Sequence, residues 1–145
     1  MRLQLALNVD DLDTSIDFYR RMFNTEPTKI RENYANFAIA EPPLKLVLFA
    51  NAGPGGTINH LGVETETAEE VVSAEARLGD AGLETTGIDD TLCCFAEKTE
   101  TWLDGPDGLR WEWYVKTGDS EQFANVVVGG PAGEAEGDGP AVCCG

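Results

Sequence analysis

The chain has 145 residues, with 10 basic against 26 acidic side chains and a formal charge of −16. That length fits one domain with a sound core, and so negative a chain repels phosphate backbones and anionic bilayers, which argues against nucleic acid and membrane as partners. The chain opens without a basic-then-apolar signal pattern and has no apolar run of spanning length, so the expected location is cytoplasmic.

From the start, Arg2 to Val9 alternates, with Leu3, Leu5, Leu7 and Val9 on one face and Gln4, Ala6 and Asn8 on the other. This is the period-two pattern of a strand. Asp10 and Asp11 can cap a helix whose Leu12, Ile16, Tyr19 and Phe23 recur at helical spacing and cover the apolar face of that strand. Short strands are expected over Pro27 to Arg31, Tyr34 to Ala40 and Leu44 to Phe49, followed by a Gly-rich loop from Ala52 to Thr57.

The stretch Ile58 to Glu64 holds the only histidine, His60. It reads either as a core imidazole with a satisfied ring nitrogen or as a base, switch or metal ligand. An internal repeat bears on the choice. Gln4 to Val9 lies over His60 to Thr65, and Leu44 to Phe49 lies over Leu109 to Tyr114, each of the latter runs preceded by turn residues. Two modules of similar size are expected, at about 1–52 and 57–117. In the second, Thr67 and Glu70 form a capping-box pattern, Val71, Ala74 and Leu78 make an apolar stripe, and Gly82 stands where a helix would end. Strands are expected over Leu83 to Ile88, Thr91 to Ala96 and Leu109 to Val115. Residues 118–145 carry no basic side chain and seven glycines, the composition of a flexible acidic tail.

The four cysteines form two adjacent pairs, Cys93-Cys94 and Cys143-Cys144, unlike the spaced cysteines of a secreted disulfide scaffold. Cys93 and Cys94 read either as small buried hydrophobes in a strand or as soft donors able to chelate trivalent arsenic or cadmium.

Two βαβββ units in tandem, the words Val9-Asp10-Asp11-Leu12 and Phe18-Tyr19, and the run Gly105-Pro106-Asp107-Gly108-Leu109-Arg110-Trp111-Glu112 resemble the vicinal-oxygen-chelate superfamily of glyoxalases, bleomycin-resistance proteins and type I extradiol dioxygenases. The resemblance covers roughly residues 2–116. It implies an α+β fold in which the two modules build an eight-stranded open cup, paired within one chain or swapped between two chains of a homodimer. It also maps the metal positions onto Gln4, Val47, His60 and Glu112. By alternation Gln4, His60 and Glu112 lie on the less apolar face of their strands. Val47 cannot ligate, so an imidazole, an amide and a carboxylate remain, a variant of the two-His-one-carboxylate set that suits Fe(II) with open positions. For Glu112 the alternative is a strand carboxylate paired with Arg110 or another base. The small Ala6 and Gly62, on the same face as Gln4 and His60, either leave room for a substrate or ease packing.

Gln4 to Val9, Tyr34 to Ala40, Pro42 to Leu48, Asn59 to Glu64 and Thr91 to Phe95 further resemble the carbon-arsenic lyases that degrade trivalent methylarsenicals, related to cadmium-induced proteins. This implies an Fe(II)- and oxygen-dependent enzyme that holds methylarsenite on Cys93 and Cys94, beside iron on Gln4, His60 and Glu112, and releases arsenite. Cys143 and Cys144 are either dispensable or deliver arsenicals to Cys93 and Cys94. No second histidine is present to move a proton, which leaves water, Tyr34, Tyr114 or a carboxylate. Two other readings stay open: a non-catalytic arsenic- or cadmium-binding resistance protein, and a small-molecule-binding cup of the bleomycin-resistance kind.

Overall fold

The computed structural model of the protein describes residues 1–93, 95–121 and 126–127. The chain divides into two compact units, Met1–Val63 and Glu64–Gly145.

The first unit holds β1 (Arg2–Val9), α1 (Leu12–Phe23), β2 (Lys29–Arg31), β3 (Tyr34–Ile39), β4 (Leu44–Ala50) and β5 (Ile58–Glu64), the last of these up to Val63. Its strands run in the order β2-β3-β4-β1-β5. β2, β3 and β4 form an antiparallel meander, while β1 lies parallel to β4 with Ala6 opposite Val47. Asp11 caps α1 by accepting a hydrogen bond from the Thr14 amide at 2.8 Å. The apolar stripe read from the sequence does its expected work: Leu12, Ile16, Tyr19 and Phe23 pack with Leu5 and Leu7 against a core of Val9, Ala35, Phe37, Ile39, Leu46 and Leu48. The opposite face of β1 is the more buried one, for Gln4, Ala6 and Asn8 are all inaccessible while Leu3 is 46% exposed.

The second unit holds α2 (Ala68–Asp80), β6 (Asp89–Cys93), β7 (Ala96–Asp104), β8 (Arg110–Asp119) and β9 (Val126–Val127), with strand order β8-β7-β6-β9. The capping box is formed as expected: Thr67 Oγ1 accepts from the Glu70 amide at 3.3 Å and Glu70 Oε2 accepts from the Thr67 amide at 3.1 Å. α2 buries Val71, Ala74 and Leu78, and Gly82 follows at φ +80°. The chain therefore has the expected class, two tandem βαβββ modules (β1-α1-β2-β3-β4 and β5-α2-β6-β7-β8).

Two expected strands of the second module are corrected. Leu83 to Ile88 is not a strand, because Gly87 at φ +81° interrupts the extended run; the segment is tied down where Thr86 exchanges hydrogen bonds with the Trp102 backbone. Thr91 to Ala96 is not one strand but the end of β6, a turn, and the start of β7. Cys93 pairs with Ala96, and Phe95 adopts φ +62°, a left-handed conformation that no strand residue holds. The strand that sequence patterning missed is β7, whose Glu97-Lys98-Thr99-Glu100-Thr101 reads as polar surface but is largely buried. β8 continues two residues past Thr117, and Val126 and Val127 pair with Leu92 and Thr91. The Ser120 amide donates to the Phe95 carbonyl at 3.1 Å, and residues 122–125 and 128–145 of the expected acidic tail, including Cys143 and Cys144, lie outside the described residues. Among the described residues no helix is long and apolar enough to cross a membrane.

Candidate metal and thiol sites

Gln4 and His60 meet within the first unit. Each is 3% exposed, and their Nε2 atoms stand 2.9 Å apart. The amide nitrogen of Gln4 carries only donors, so the imidazole nitrogen facing it is the one with the lone pair. On the other side of the ring, His60 Nδ1 is 2.7 Å from Asn59 Oδ1. Phe49 lies against the imidazole with ring centroids 6.2 Å apart. The β1–β4 register sets Lys45, Val47 and Phe49 beside Gln4, Ala6 and Asn8, so the fourth position of the repeat is the aliphatic Val47, itself 3% exposed. Gln4 turns its nitrogen toward His60; the oxygen that could ligate a cation comes into its place by a half-turn of the amide.

Glu112 sits in the second unit and is fully buried. The hairpin that delivers it turns at Gly105 to Gly108, where Gly108 takes φ +78° and its amide donates to the Gly105 carbonyl at 2.9 Å. Arg110, the base next to Glu112 on the strand face, is engaged with Asp104 at 3.3 Å and stacks on Trp102, and the base that hydrogen-bonds Glu112 comes from β7. That base is Lys98, whose Nζ donates to Glu112 Oε1 at 2.6 Å and also lies 3.9 Å from Glu100 Oε2. Burial, reinforced by the Glu112 carboxylate and only partly opposed by Lys98, pushes the Glu100 carboxyl up to about 7. Tyr114 is buried and donates its hydroxyl hydrogen to Glu64 Oε2 at 2.9 Å, while the Tyr34 hydroxyl accepts from Asn36 Nδ2 at 2.9 Å.

Lys98 and Glu100 escaped sequence reasoning because β7 was not seen as a strand. The signal was there in the alternation Ala96, Lys98, Glu100, Trp102 across from Glu112 and Tyr114.

Cys93 closes β6, two residues beyond Thr91, whose cross-strand neighbour is Lys98. Cys94 lies outside the described residues. A cavity of about 440 Å³ opens beside this hairpin, lined among others by Thr91, Leu92, Lys98 and Thr117. Thr91 Oγ1 is buried there without a hydrogen-bond partner.

No three His, Cys, Asp or Glu side chains converge among the described residues, a grouping that leaves amides such as Gln4 out. The donor chemistry fits a divalent cation nonetheless. Taken each by itself, the first unit holds a buried imidazole lone pair beside an amide, and the second holds a buried carboxylate whose charge is met by an ammonium.

Residues 3–113 match the family model of the Glyoxalase/Bleomycin resistance protein/Dioxygenase superfamily. The chain is 53% identical to the cadmium-induced protein CadI of Mycobacterium tuberculosis over 144 residues, which span 99% of this chain and 92% of that protein. It is 51% identical over 126 residues to a trivalent organoarsenical cleaving enzyme of Thermomonospora curvata, covering 86% of this chain and 83% of that one. Among solved structures, the Mn(II)-bound glyoxalase of Novosphingobium aromaticivorans shares the fold, with a TM-score of 0.58 and 20% identity over 83% of this chain and 41% of that chain.

Proposed function

Since the chain belongs to the glyoxalase, bleomycin-resistance and dioxygenase superfamily, we propose that it is an Fe(II)- and oxygen-dependent enzyme that cleaves the carbon-arsenic bond of trivalent organoarsenicals such as methylarsenite, one oxygen atom of O2 going to arsenic, released as arsenite, and the other to the carbon, released as an oxidised one-carbon product. The buried Gln4–His60 pair carries this reading on the side of the metal, and the likeness to an organoarsenical cleaving enzyme over most of both chains carries it on the side of the substrate.

In this reading His60, Gln4 and Glu112 hold the metal. His60 offers its Nε2 lone pair without rearrangement. Gln4 turns its amide to offer Oε1, and Glu112 exchanges the Lys98 ammonium for the cation. When bound, Fe(II) supplies a redox chemistry toward dioxygen that none of these side chains has. Cys93 and Cys94 bind trivalent arsenic as a dithiolate, a soft pair for a soft centre, and so fix the carbon-arsenic bond in one orientation. Glu100, its carboxyl pushed up to about 7 by burial, is a buried group able to hold or give up a proton at working pH.

The test is to load anaerobically purified protein with Fe(II), add methylarsenite and then admit oxygen. Arsenite released only after oxygen is the expected result. The name of the mycobacterial relative, cadmium-induced, favours a second reading, in which the thiols sequester arsenic or cadmium and nothing is turned over. That reading predicts stoichiometric binding with no oxygen-dependent product.

A further inference from the structure

Behind His60 runs a chain of polar contacts that the metal reading alone leaves unused. Thr57 Oγ1 lies 2.6 Å from the Pro54 carbonyl. A carbonyl can only accept, so the Thr57 hydroxyl spends its one hydrogen there and must itself accept from Asn8 Nδ2 at 2.9 Å. That fixes the Asn8 amide, turning Oδ1 toward Asn59 Nδ2 at 3.0 Å. The Asn59 amide is fixed in turn, its Oδ1 facing His60 Nδ1 at 2.7 Å. An acceptor at that distance requires the imidazole proton to be on Nδ1. At the far side of the ring the donor-only nitrogen of Gln4 demands the same from the other end, a bare lone pair on Nε2. The Pro54 carbonyl at one end and the Gln4 amide at the other thus impose the same tautomer on His60.

The loop is shaped to hold the relay. A Cβ on Gly53 would come within 2.8 Å of Asn8 Nδ2, so only glycine leaves the Asn8 amide its place. The Asn8 backbone is tied to the same loop, its amide donating to the Thr57 carbonyl at 2.8 Å and its carbonyl accepting from the Gly56 amide at 2.9 Å.

We propose that Asn59 and Asn8, anchored on the 53–57 loop, are positioning residues that lock His60 as the Nδ1–H tautomer and so hold its Nε2 lone pair ready for the metal. The inference rests on the metal reading for its purpose but not for its geometry. A ligating imidazole that donates its other N–H to a fixed oxygen is oriented and made more basic, and loss of such a partner typically costs 10- to 100-fold in metal affinity. Here the oxygen belongs to the residue immediately before the histidine and is itself aimed by a strand neighbour.

Because His60 is the only histidine, nitrogen-15 NMR of the imidazole reads this site without assignment. The metal-free wild type should give a pyrrole-type signal for Nδ1 and a pyridine-type signal for Nε2. Asn59→Ala removes one of the two constraints, so it should move both nitrogens partway toward the Nε2–H form that an unconstrained histidine side chain prefers, and lower anaerobic Fe(II) affinity by roughly 10- to 100-fold. Asn59→Asp keeps an oxygen toward Nδ1 although it gives up the donor to Asn8, and should hold the Nδ1–H form at alkaline pH where the imidazole is neutral. Gly53→Ala, which touches neither His60 nor Gln4, should shift the pattern partway by displacing Asn8. An Nε2–H signal in the wild type, or an Asn59→Ala spectrum identical to it, overturns the relay. A wild type with the expected tautomer and no affinity for Fe(II) overturns instead the metal reading and the purpose given to the relay.

Discussion

Lys98 reaches diagonally across the β7–β8 ladder to place its ammonium 2.6 Å from Glu112 Oε1, and it does so from a site where both side chains are at most 5% exposed. The same ammonium lies 4.8 Å from the Tyr114 ring centroid. A buried cation between two buried carboxylates is what allows those carboxylates to share one sheet face. Lys98→Met should therefore cost the metal-free protein about 3 kcal/mol, since it strands charge inside the unit. Urea unfolding measures this. Anaerobic Fe(II) should recover part of the loss, because a divalent cation replaces the missing charge. An unchanged unfolding midpoint would show that the pair is not needed for stability.

Glu100 gives a pH dependence with a defined sign. Its folded carboxyl, near 7, lies above the 4.5 of an ordinary glutamate, so the folded state binds the proton more tightly. The stability linked to this group is complete below about pH 4.5 and is lost as pH rises through about 7. It amounts to on the order of 3 kcal/mol. Glu100→Gln should flatten the slope of metal-free stability between about pH 5 and about pH 8, which denaturant titrations at the two ends will read directly.

Glu112 is better tested by Gln than by Ala. Glu112→Ala takes the nearer carboxylate away from the buried Lys98 ammonium, with Glu100 Oε2 at 3.9 Å a looser counter-charge, and should destabilise the unit by about 3 kcal/mol, which confounds any loss of activity. Glu112→Gln keeps an oxygen for Lys98 and removes only the charge. Its Fe(II) affinity should fall by more than about 100-fold while its circular dichroism stays that of the wild type. Stoichiometric Fe(II) in this variant under equilibrium dialysis would move the metal elsewhere.

Thiols and imidazole should separate cleanly. The Cys93→Ser, Cys94→Ser double variant replaces soft sulfur by hard oxygen, so it should lose methylarsenite binding and turnover yet keep Fe(II). His60→Ala should lose Fe(II) and turnover yet keep the arsenical. The binding assay belongs on protein in which Cys143 and Cys144 are also Ser, so that they do not mask the loss. Normal turnover in the Cys93, Cys94 double variant would rule out the dithiolate.

The first unit was nearly legible in the sequence because its signals are local. Alternation in Arg2–Val9, the Asp11 cap and the apolar stripe of α1 each follow from a few neighbouring residues, and each is where patterning put it. The pairing of Gln4 with His60 was indicated by the repeat, which aligned the two positions, although which atom of Gln4 faces the ring was not. Legibility failed in the second unit where buried polarity imitates surface. Lys98, Thr99, Glu100 and Thr101 are all at most 9% exposed, but their composition is that of a loop, so β7 went unseen and with it the true partner of Glu112. The hairpin turn at Phe95 was hidden for the opposite reason: Leu92 to Ala96 is apolar throughout, and no glycine or asparagine marks the residue that takes a positive φ.

Because β1 pairs in parallel with β4, β1 has no partner in that ladder until Leu44 to Ala50 have been made. The β2-β3-β4 meander closes over short separations and is ready earlier, whereas β1 must wait for a loop of roughly forty residues to close. The contact between Gln4 and His60, 56 positions apart, waits longer still. Assembly of the first unit thus ends where its chemistry would begin, and the state of one imidazole reports whether that last docking has been completed.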